Sequence, residues 1–235
     1  AMAGVAAFGV RCGDHGRITD PGRYVKDLAT SFEAGGGTVL RASVQDVLRD
    51  DGGVTGIVTD VGQMDCDRLV VTAGVWSKGL ASKLGIKTPL ETERGYHIEL
   101  YEPSLTPRAP TMIASGKFVL TPMEGRLRVA GLVEFGGLEA PPNAARSDML
   151  LRAVRRAFPT LTFGETKTWM GHRPAPPDSI PYLGAVSSVS GAFVGYGHHH
   201  VGLTSGPRTG RVLANLIAGR TPNFDLAPYA AERFS

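Results

Sequence analysis

Arg173 is the residue whose neighbours constrain its chemistry most tightly. It lies in the segment WMGHRPAPPDSIPYLG (residues 169–184), where Gly171-His172 and Pro174 restrict the backbone on either side. A guanidinium is always charged, and its planar set of N–H donors matches a carboxylate in a bidentate contact. Two interpretations remain open. Arg173 binds the carboxylate of a ligand, or it forms structural bonds with Asp178 or with carbonyls across the turn.

A glycine-rich loop near the C-terminus is a second candidate site. Ala192-Phe193-Val194 predicts a strand, and GYGHHHVGLTSG (residues 195–206) predicts a loop. Thr204-Ser205 with Pro207 predicts the opening of a helix that ends at Gly219. This order directs free backbone N–H groups and the positive end of a helix dipole at whatever lies above the loop. The alternative is a turn that needs glycine only for a positive φ. The GxGxxG dinucleotide pattern is absent here and throughout the chain.

Three consecutive histidines, His198, His199 and His200, occupy this loop. Adjacent side chains of an extended segment point to opposite sides, so we do not expect the three to bind one metal ion, and we predict no metal site. One histidine beside a ligand pocket is an alternative to histidines that are satisfied within the fold or face solvent.

The segment Arg94-Gly95-Tyr96-His97 lies where the predicted α/β body passes into the predicted inserted sheet. Such domain junctions often form pockets. Tyr96 or His97 could point from a new strand toward a ligand. Arg94 is equally compatible with a structural ion pair and with ligand binding. No GxSxG, HExxH, P-loop or paired-carboxylate motif accompanies these residues, so an enzyme of this sequence would depend on a cofactor for its chemistry.

Hydrophobic spacing predicts the elements that position these residues. Asp20-Pro21 caps a helix that Gly35-Gly36-Gly37 ends, and a short helix carrying Trp76 ends at Gly85. A further helix is predicted at 144–157, with Met149 on its buried stripe. The predicted strands are 38–40, a hairpin of 44–48 and 54–59, 69–71, 96–100, 112–113, 118–120, 127–130, 166–170 and 192–194.

These elements predict an α+β or α/β fold with an inserted sheet. Residues 1–93 and 171–235 form parts of one layered α/β body, and residues 94–170 form an inserted, mixed or antiparallel sheet domain. The first residue, Ala1, precedes Met2 as in a cloning remnant and is left out of this prediction.

The amino-acid composition and charge of the chain limit the classes of function that it could have. The 235 residues are 42% hydrophobic and 20% charged, as is ordinary for a globular protein. The net charge of +3 is scattered, so we predict no nucleic-acid partner, and we assign Arg152, Arg155 and Arg156 to a solvated helix face. No apolar run is long enough for a membrane helix and no signal peptide is visible. The distant Cys12 and Cys66 indicate a reducing compartment. We therefore expect a cytoplasmic protein, with peripheral attachment to the inner membrane face as the alternative.

Three ordered blocks resemble the D-amino-acid oxidase and dehydrogenase superfamily of FAD-dependent oxidoreductases, which includes glycine oxidase and sarcosine oxidase. They are DRLVVTAGVWSKGLASKLGIKTPLETERGYH, WMGHRPAPPDSIPYLG and GYGHHHVGLTSGPRTGRVLANLIAG. The second block is most similar to D-amino-acid or D-hydroxyproline dehydrogenases. The resemblance implies FAD as the cofactor, hydride transfer from the Cα–N unit of an amino-acid substrate, and a role in amino-acid catabolism. The implied hydride transfer requires no acid or base from the protein.

The resemblance also implies roles for individual residues. Substrate would contact Arg173, Tyr96, His97 and His199. Val44 would contact the adenine, Ala73-Gly74 the phosphate-ribityl part, and the backbone of Gly202, Leu203 and Thr204 the flavin pyrimidine edge. The full set of expected cofactor-binding residues is Val44, Ala73, Gly74, Trp76, Gly197, His198, Gly202, Leu203 and Thr204.

The sequence departs from the family in one respect, because the strand–GxGxxG–helix unit that holds the pyrophosphate is absent. We therefore expect an unusually apolar strand edge and flavin groove, covered by a second copy of the chain or by a partner chain that supplies the missing half. An alternative function is a non-catalytic domain or subunit that requires a separate nucleotide-binding chain. A ligand-binding domain for a free amino acid is a third hypothesis.

Overall fold

A computed structural model describes Gly4 and residues 6–234, and the pair Ala1-Met2 lies outside these residues. The chain forms two compact units, one of Ala1–Val39 with Arg94–His172 and the other of Leu40–Glu93 with Arg173–Ser235. We call the first the sheet unit and the second the loop unit. The predicted division at 1–93, 94–170 and 171–235 is a functional assignment and stays a prediction.

The described residues form helices and strands in an interleaved order. The helices are α1 (Pro21–Ala34), α2 (Ser77–Lys83), α3 (Ala144–Ala157) and α4 (Gly202–Ile217). The strands are β1 (Val44–Asp50), β2 (Gly53–Thr59), β3 (Gly62–Asp65), β4 (Leu69–Val71), β5 (Glu91–Tyr101), β6 (Thr111–Ile113), β7 (Phe118–Met123), β8 (Arg126–Glu134), β9 (Thr166–Ala175), β10 (Tyr182–Ala185) and β11 (Ala192–Tyr196). Short 3₁₀ turns occur at Gly74–Trp76, Ala114–Gly116 and Ala227–Tyr229.

The strands form three sheets, so the fold is mixed α/β with antiparallel sheets. One sheet has the order β1-β2-β3 and is antiparallel, and a five-stranded sheet has the order β6-β7-β8-β5-β9. The third has the order β10-β11-β4, in which β11 pairs antiparallel with β10 and parallel with β4. The parallel pair aligns Val194 with Val71, so β11 and β4 end side by side.

Each unit has its own hydrophobic core. In the sheet unit, α3 packs Leu150 and Val154 against Phe118, Leu127 and Val129 of β7 and β8. In the loop unit, β11 and β4 pack with α2, while Val212 and Leu213 of α4 pack on Leu183 and Phe193. These cores fix the ends of β4 and β11, where the predicted cofactor residues lie.

Several local predictions are wrong for identifiable reasons. Residues 38–40 are not a strand. Pro207 lies inside α4, because the N–H groups of Thr204 and Ser205 donate to the carbonyl of Val201 and so begin the helix at Gly202. Met149, predicted on the buried stripe of α3, is exposed.

Helix α1 is apolar on one side yet buries none of its 14 residues. Asp20 caps it as predicted, with its carboxylate accepting from the N–H of Arg23 at 3.0 Å. Val25, Leu28 and Phe32 are all more than half exposed. In the part of the chain that the structure describes, no helix has the length and apolar character needed to cross a bilayer.

Candidate functional site

The loop between β11 and α4 is held against the strand that carries Arg173. The backbone N–H of His199 donates to the carbonyl oxygen of Pro174 at 3.1 Å. Gly197 has a φ of +80°, and a Cβ at this position would lie 3.0 Å from Cγ of Pro176 and 3.1 Å from Cδ2 of Tyr182. Glycine is therefore required both for the conformation and for the close approach.

The N-terminus of α4 presents two backbone donors. Its N-cap, Val201, has no side chain that could accept a hydrogen bond. The N–H of Thr204 donates to Val201 at 3.1 Å, and the backbone contact of Thr204 with a flavin stays a prediction. Among the described residues, the N–H groups of Gly202 and Leu203 have no acceptor. These two donors and the helix dipole suit an electron-rich ligand group.

Arg173 is half-buried in the loop unit. Burial lowers the pKa of its guanidinium, and the nearby negative charge of Glu93 opposes that effect. The group therefore remains a cation at neutral pH.

The first structural alternative for Arg173 involved Asp178, whose carboxylate is engaged by another arginine. Nε of Arg233 lies 2.8 Å from Oδ2 of Asp178, and Nη2 of Arg233 donates to Oδ1 at 3.1 Å. These hydrogen bonds lower the pKa of Asp178. The guanidinium of Arg233 also lies 3.9 Å from the centre of the Tyr182 ring. Arg233, near the C-terminus, therefore holds the turn that follows Arg173.

Glu93 is a site residue that the sequence did not reveal. Its Oε2 lies 2.9 Å from Nε2 of His199 and 3.0 Å from Nε2 of His200. Burial raises the pKa of Glu93, but the two imidazole contacts outweigh burial and lower it. Glu93 lies in the first of the family-like blocks and is followed directly by the buried Arg94, but nothing in the sequence indicates that it contacts His199 and His200.

The two histidines converge because His199 adopts a left-handed conformation with a φ of +51°. Their ring centroids are 4.2 Å apart at an interplanar angle of 81°. The expectation that neighbouring histidines point to opposite sides holds for extended chain and is wrong at this turn. His198 points elsewhere, since its Nε2 lies 2.8 Å from Oγ1 of Thr209 on α4 and burial lowers its pKa.

A second feature of the loop unit is an apolar groove of about 210 Å³ that contains two of the expected cofactor residues, Val44 and Ala73. Its other lining residues are Val47, Leu69, Val70, Val71, Thr72 and Leu80. The groove lies where β1, β4 and α2 meet, and Gly74, with a φ of +58°, turns the chain away from β4. Trp76 is 60% exposed.

The sheet unit holds Tyr96 in a polar network rather than at a surface. Tyr96 is 2% exposed, its hydroxyl donates to Oε2 of Glu134 at 2.5 Å, and it accepts from the N–H of Asn143 at 3.1 Å. Arg94, also 2% exposed, donates to the carbonyl of Pro141 at 2.6 Å and lies 3.5 Å from Glu134. Arg94 is thus a structural ion-pair partner, and the substrate contact expected of Tyr96 stays a prediction.

His97 lies beside Tyr96 on β5, and its ring stacks on Trp169 with centroids 4.9 Å apart and an interplanar angle of 20°. Burial, assisted by the positive charge of Arg128, lowers its pKa to about 4. His97 is therefore neutral at physiological pH. Arg173, His199 and the α4 N-terminus belong to the loop unit, whereas Tyr96 and His97 belong to the sheet unit, and the substrate contacts of all of them stay predictions.

Comparison with known proteins agrees with this fold. The family model described as FAD dependent oxidoreductase (DAO) matches residues 3–216. The chain belongs to this family, whose members depend on FAD.

Two relatives are similar over most of the chain. A D-amino-acid oxidase of Bradyrhizobium diazoefficiens is 39% identical over 97% of this chain and 55% of its own length. A D-amino acid dehydrogenase of Allorhizobium ampelinum is 33% identical over 82% of this chain and 46% of its own length. The chain thus spans about half the length of the curated relatives it matches.

Solved structures share the fold. Glycine oxidase from Geobacillus kaustophilus superposes with a TM-score of 0.76 at 24% identity, over 89% of this chain and 57% of that one. Iminodiacetate oxidase from Chelativorans superposes with a TM-score of 0.72 at 25% identity, over 88% and 58%.

Proposed function

We propose that this chain supplies the substrate-binding and flavin-edge part of an FAD-dependent oxidoreductase that oxidises the Cα–N bond of a D-amino acid or a related primary or secondary amine. One observation carries the proposal. The hydrogen bond from His199 to Pro174 joins the strand of Arg173 to the loop before α4. A half-buried cation and the positive end of a 16-residue helix are thereby supported by the same turn.

The residues of the loop unit fit an FAD molecule in two places. The free N–H groups of Gly202 and Leu203 suit the carbonyl groups of a flavin pyrimidine ring, because they are donors without an acceptor in the described chain. The groove lined by Val44 and Ala73 is apolar and open at one side, as a flat nucleotide group requires. Gly74 allows the backbone to approach such a group closely.

The chain's own contribution is to hold and orient the substrate. FAD, when bound, supplies the acceptor for the hydride that leaves the substrate Cα. Arg173 binds the substrate carboxylate in a charge-assisted, bidentate contact and so fixes the position of the Cα–N bond. Its half-buried position strengthens this contact, since fewer water molecules compete for the guanidinium. The D-amino-acid oxidase and dehydrogenase relatives support D-amino acids as the substrate class.

The visible spectrum of the purified chain tests this proposal. We expect flavin absorbance in the purified protein, or saturable FAD binding that raises the melting temperature. A loss of activity alone would not show whether cofactor binding or substrate binding had failed, so FAD titration precedes any assay. If no flavin is present and added FAD neither binds nor stabilises the protein, catalysis by this chain alone is excluded.

A second candidate function is a subunit that works only with another chain, and α1 favours it. The three exposed apolar side chains Val25, Leu28 and Phe32 form an uncovered face, and β4 is an edge strand in its sheet. The occupant of this face is either a second copy or a nucleotide-binding chain. Light scattering of the wild type and of Leu28→Lys with Phe32→Lys separates the cases. Co-purification identifies a separate nucleotide-binding chain. A stable, flavin-free monomer with a closed surface and no co-purifying chain would contradict this function.

A further inference from the structure

We propose that Glu93, His199 and His200 form a binding site for a divalent transition-metal ion of the Zn²⁺ class. The proposal does not rest on FAD binding or on the oxidation of an amine. All three residues belong to the loop unit, and one ligand atom from each lies within 4.8 Å of the other two.

The distances between the ligand atoms suit a shared ion. Oε2 of Glu93 lies 2.9 Å from Nε2 of His199 and 3.0 Å from Nε2 of His200. Zinc binds imidazole nitrogen and carboxylate oxygen at about 2.0–2.2 Å, so two ligands of one ion lie roughly 2.8–3.5 Å apart for the usual bond angles. The third separation, between the two imidazole nitrogens, lies within 4.8 Å, so admission of the ion requires the side chains to adjust.

The Nε2 atom of His199 carries the strongest indication. It is buried and makes no hydrogen bond within the described residues, although Oε2 of Glu93 is only 2.9 Å away. Ligands of one metal ion direct their lone pairs at the ion and not at each other, so a close but oblique N···O approach is expected of such a pair. A buried nitrogen with no such use would cost free energy.

The backbone holds this arrangement in place. His199 has a φ of +51°, a conformation that a residue with a side chain rarely adopts. Its N–H donates to Pro174, which fixes the turn. Strained backbone of this kind is concentrated at ligand sites. Here it brings two adjacent imidazole rings to one carboxylate, which an extended chain could not do.

The ligand types specify the class of ion. Two imidazole nitrogens and one carboxylate oxygen suit Zn²⁺, Co²⁺, Ni²⁺ or Fe²⁺, whereas Mg²⁺ and Ca²⁺ prefer all-oxygen sites. Three protein ligands leave at least one coordination position open. The side chain of His200 is 49% exposed, so water or a small anionic ligand can reach that position.

One charge opposes the ion, and it provides a test. Arg173 interacts electrostatically with Glu93 in the same unit, and a second cation at Glu93 would be repelled by it. Replacing Arg173 by methionine should therefore tighten metal binding, by about threefold or more for a partly screened charge pair.

The experiment is a titration of the metal-free full chain with Zn²⁺ by calorimetry and with Co²⁺ by visible absorption, in the absence of FAD. We expect one ion per chain, and Co²⁺ bands of the intensity typical of four or five ligands. His199→Gly removes the ring and suits the positive φ, so it should fold as well as the wild type. His199→Gly and Glu93→Gln should each weaken metal binding at least about tenfold. Even the loss of a residue that only hydrogen-bonds to a metal ligand lowers metal affinity by that factor. The exposed His15→Ala is the matched control and should bind as the wild type does.

Equal Zn²⁺ affinity in the wild type and in both ligand variants would overturn the proposal, as would a Co²⁺ spectrum of the hydrated ion only. Mg²⁺ should not compete with Zn²⁺, and competition at equal concentration would contradict the assigned ligand set. Melting temperatures of all variants identify any loss of binding that is due to unfolding.

Discussion

The backbone N–H of His199 donates to the carbonyl oxygen of Pro174 at 3.1 Å. This bond links the residue that follows Arg173 to the loop that precedes α4. Positions 173 and 199 are distant in sequence, the first in strand β9 and the second in the loop before α4. Together they place a cation, two imidazole rings and a helix N-terminus on one small part of the loop unit.

The first prediction concerns the free backbone donors of α4. Leu203→Pro removes the N–H of Leu203 in the first helical turn, where no intrahelical bond is lost. Leu203→Ala trims the side chain and keeps the N–H. We expect the proline variant to bind FAD about tenfold more weakly, as loss of a hydrogen bond to a polarised group predicts, and the alanine variant to bind nearly as the wild type does. Quenching of FAD fluorescence measures both affinities, and equal affinities would remove the donor role of α4.

The second prediction concerns Tyr96, which we assign to the stability of the sheet unit. Tyr96→Phe leaves Oε2 of Glu134 and the N–H of Asn143 without this partner, so the free energy of unfolding should fall by about 1–3 kcal/mol. Tyr101→Phe is the control, because the Tyr101 hydroxyl bonds Glu99 at a less buried position and should cost less. Urea unfolding measures both. A Tyr96→Phe protein of wild-type stability with weakened substrate binding would restore the pocket role instead.

The third prediction is a pH dependence of stability that arises at His97. Its pKa is about 4 in the folded state and near 6.5 when unfolded, so the unfolded chain binds more protons between these values. The contribution of His97 is complete above pH 6.5 and is lost as the pH falls toward 4, up to roughly 3 kcal/mol. His97→Phe, which keeps an aromatic ring on Trp169, should flatten the stability curve in this window, whereas His15→Ala should not. Parallel curves for the wild type and His97→Phe would contradict this assignment.

Much of the fold follows from local patterns in the sequence. The spacing of apolar residues predicts α3 at its observed bounds, and Asp20 caps α1 as its position before proline predicts. The hairpin of β1 and β2 follows from the turn at 50–53. Local patterns fail where the hydrogen bonds of a folded turn decide the outcome. The start of α4 depends on hydrogen bonds of Thr204 and Ser205 to Val201, and the helix rule for Pro207 could not anticipate them.

The candidate site was predictable only in part. Val44 and Ala73, chosen by family resemblance, do line one groove. Glu93 lies in the first family-like block but was not singled out, because its contacts are with imidazoles more than a hundred positions away. The histidine pair was missed since side-chain alternation assumes extended backbone, and His199 is left-handed. Tyr96 alternates along β5 toward the core of the sheet unit, and its hydroxyl partners Glu134 and Asn143 come from distant segments.

In the function that we propose, Arg173 binds the carboxylate of an amino-acid substrate. The most direct measurement is the dissociation constant of D-amino acids, taken by calorimetry in the presence of FAD, for the wild type, Arg173→Met and the exposed-helix control Arg152→Met. We predict saturable binding that weakens by about 10–100-fold in Arg173→Met, as loss of a charge-assisted bidentate contact requires, with Arg152→Met unchanged. Equal affinities in Arg173→Met and Arg152→Met would contradict the claim.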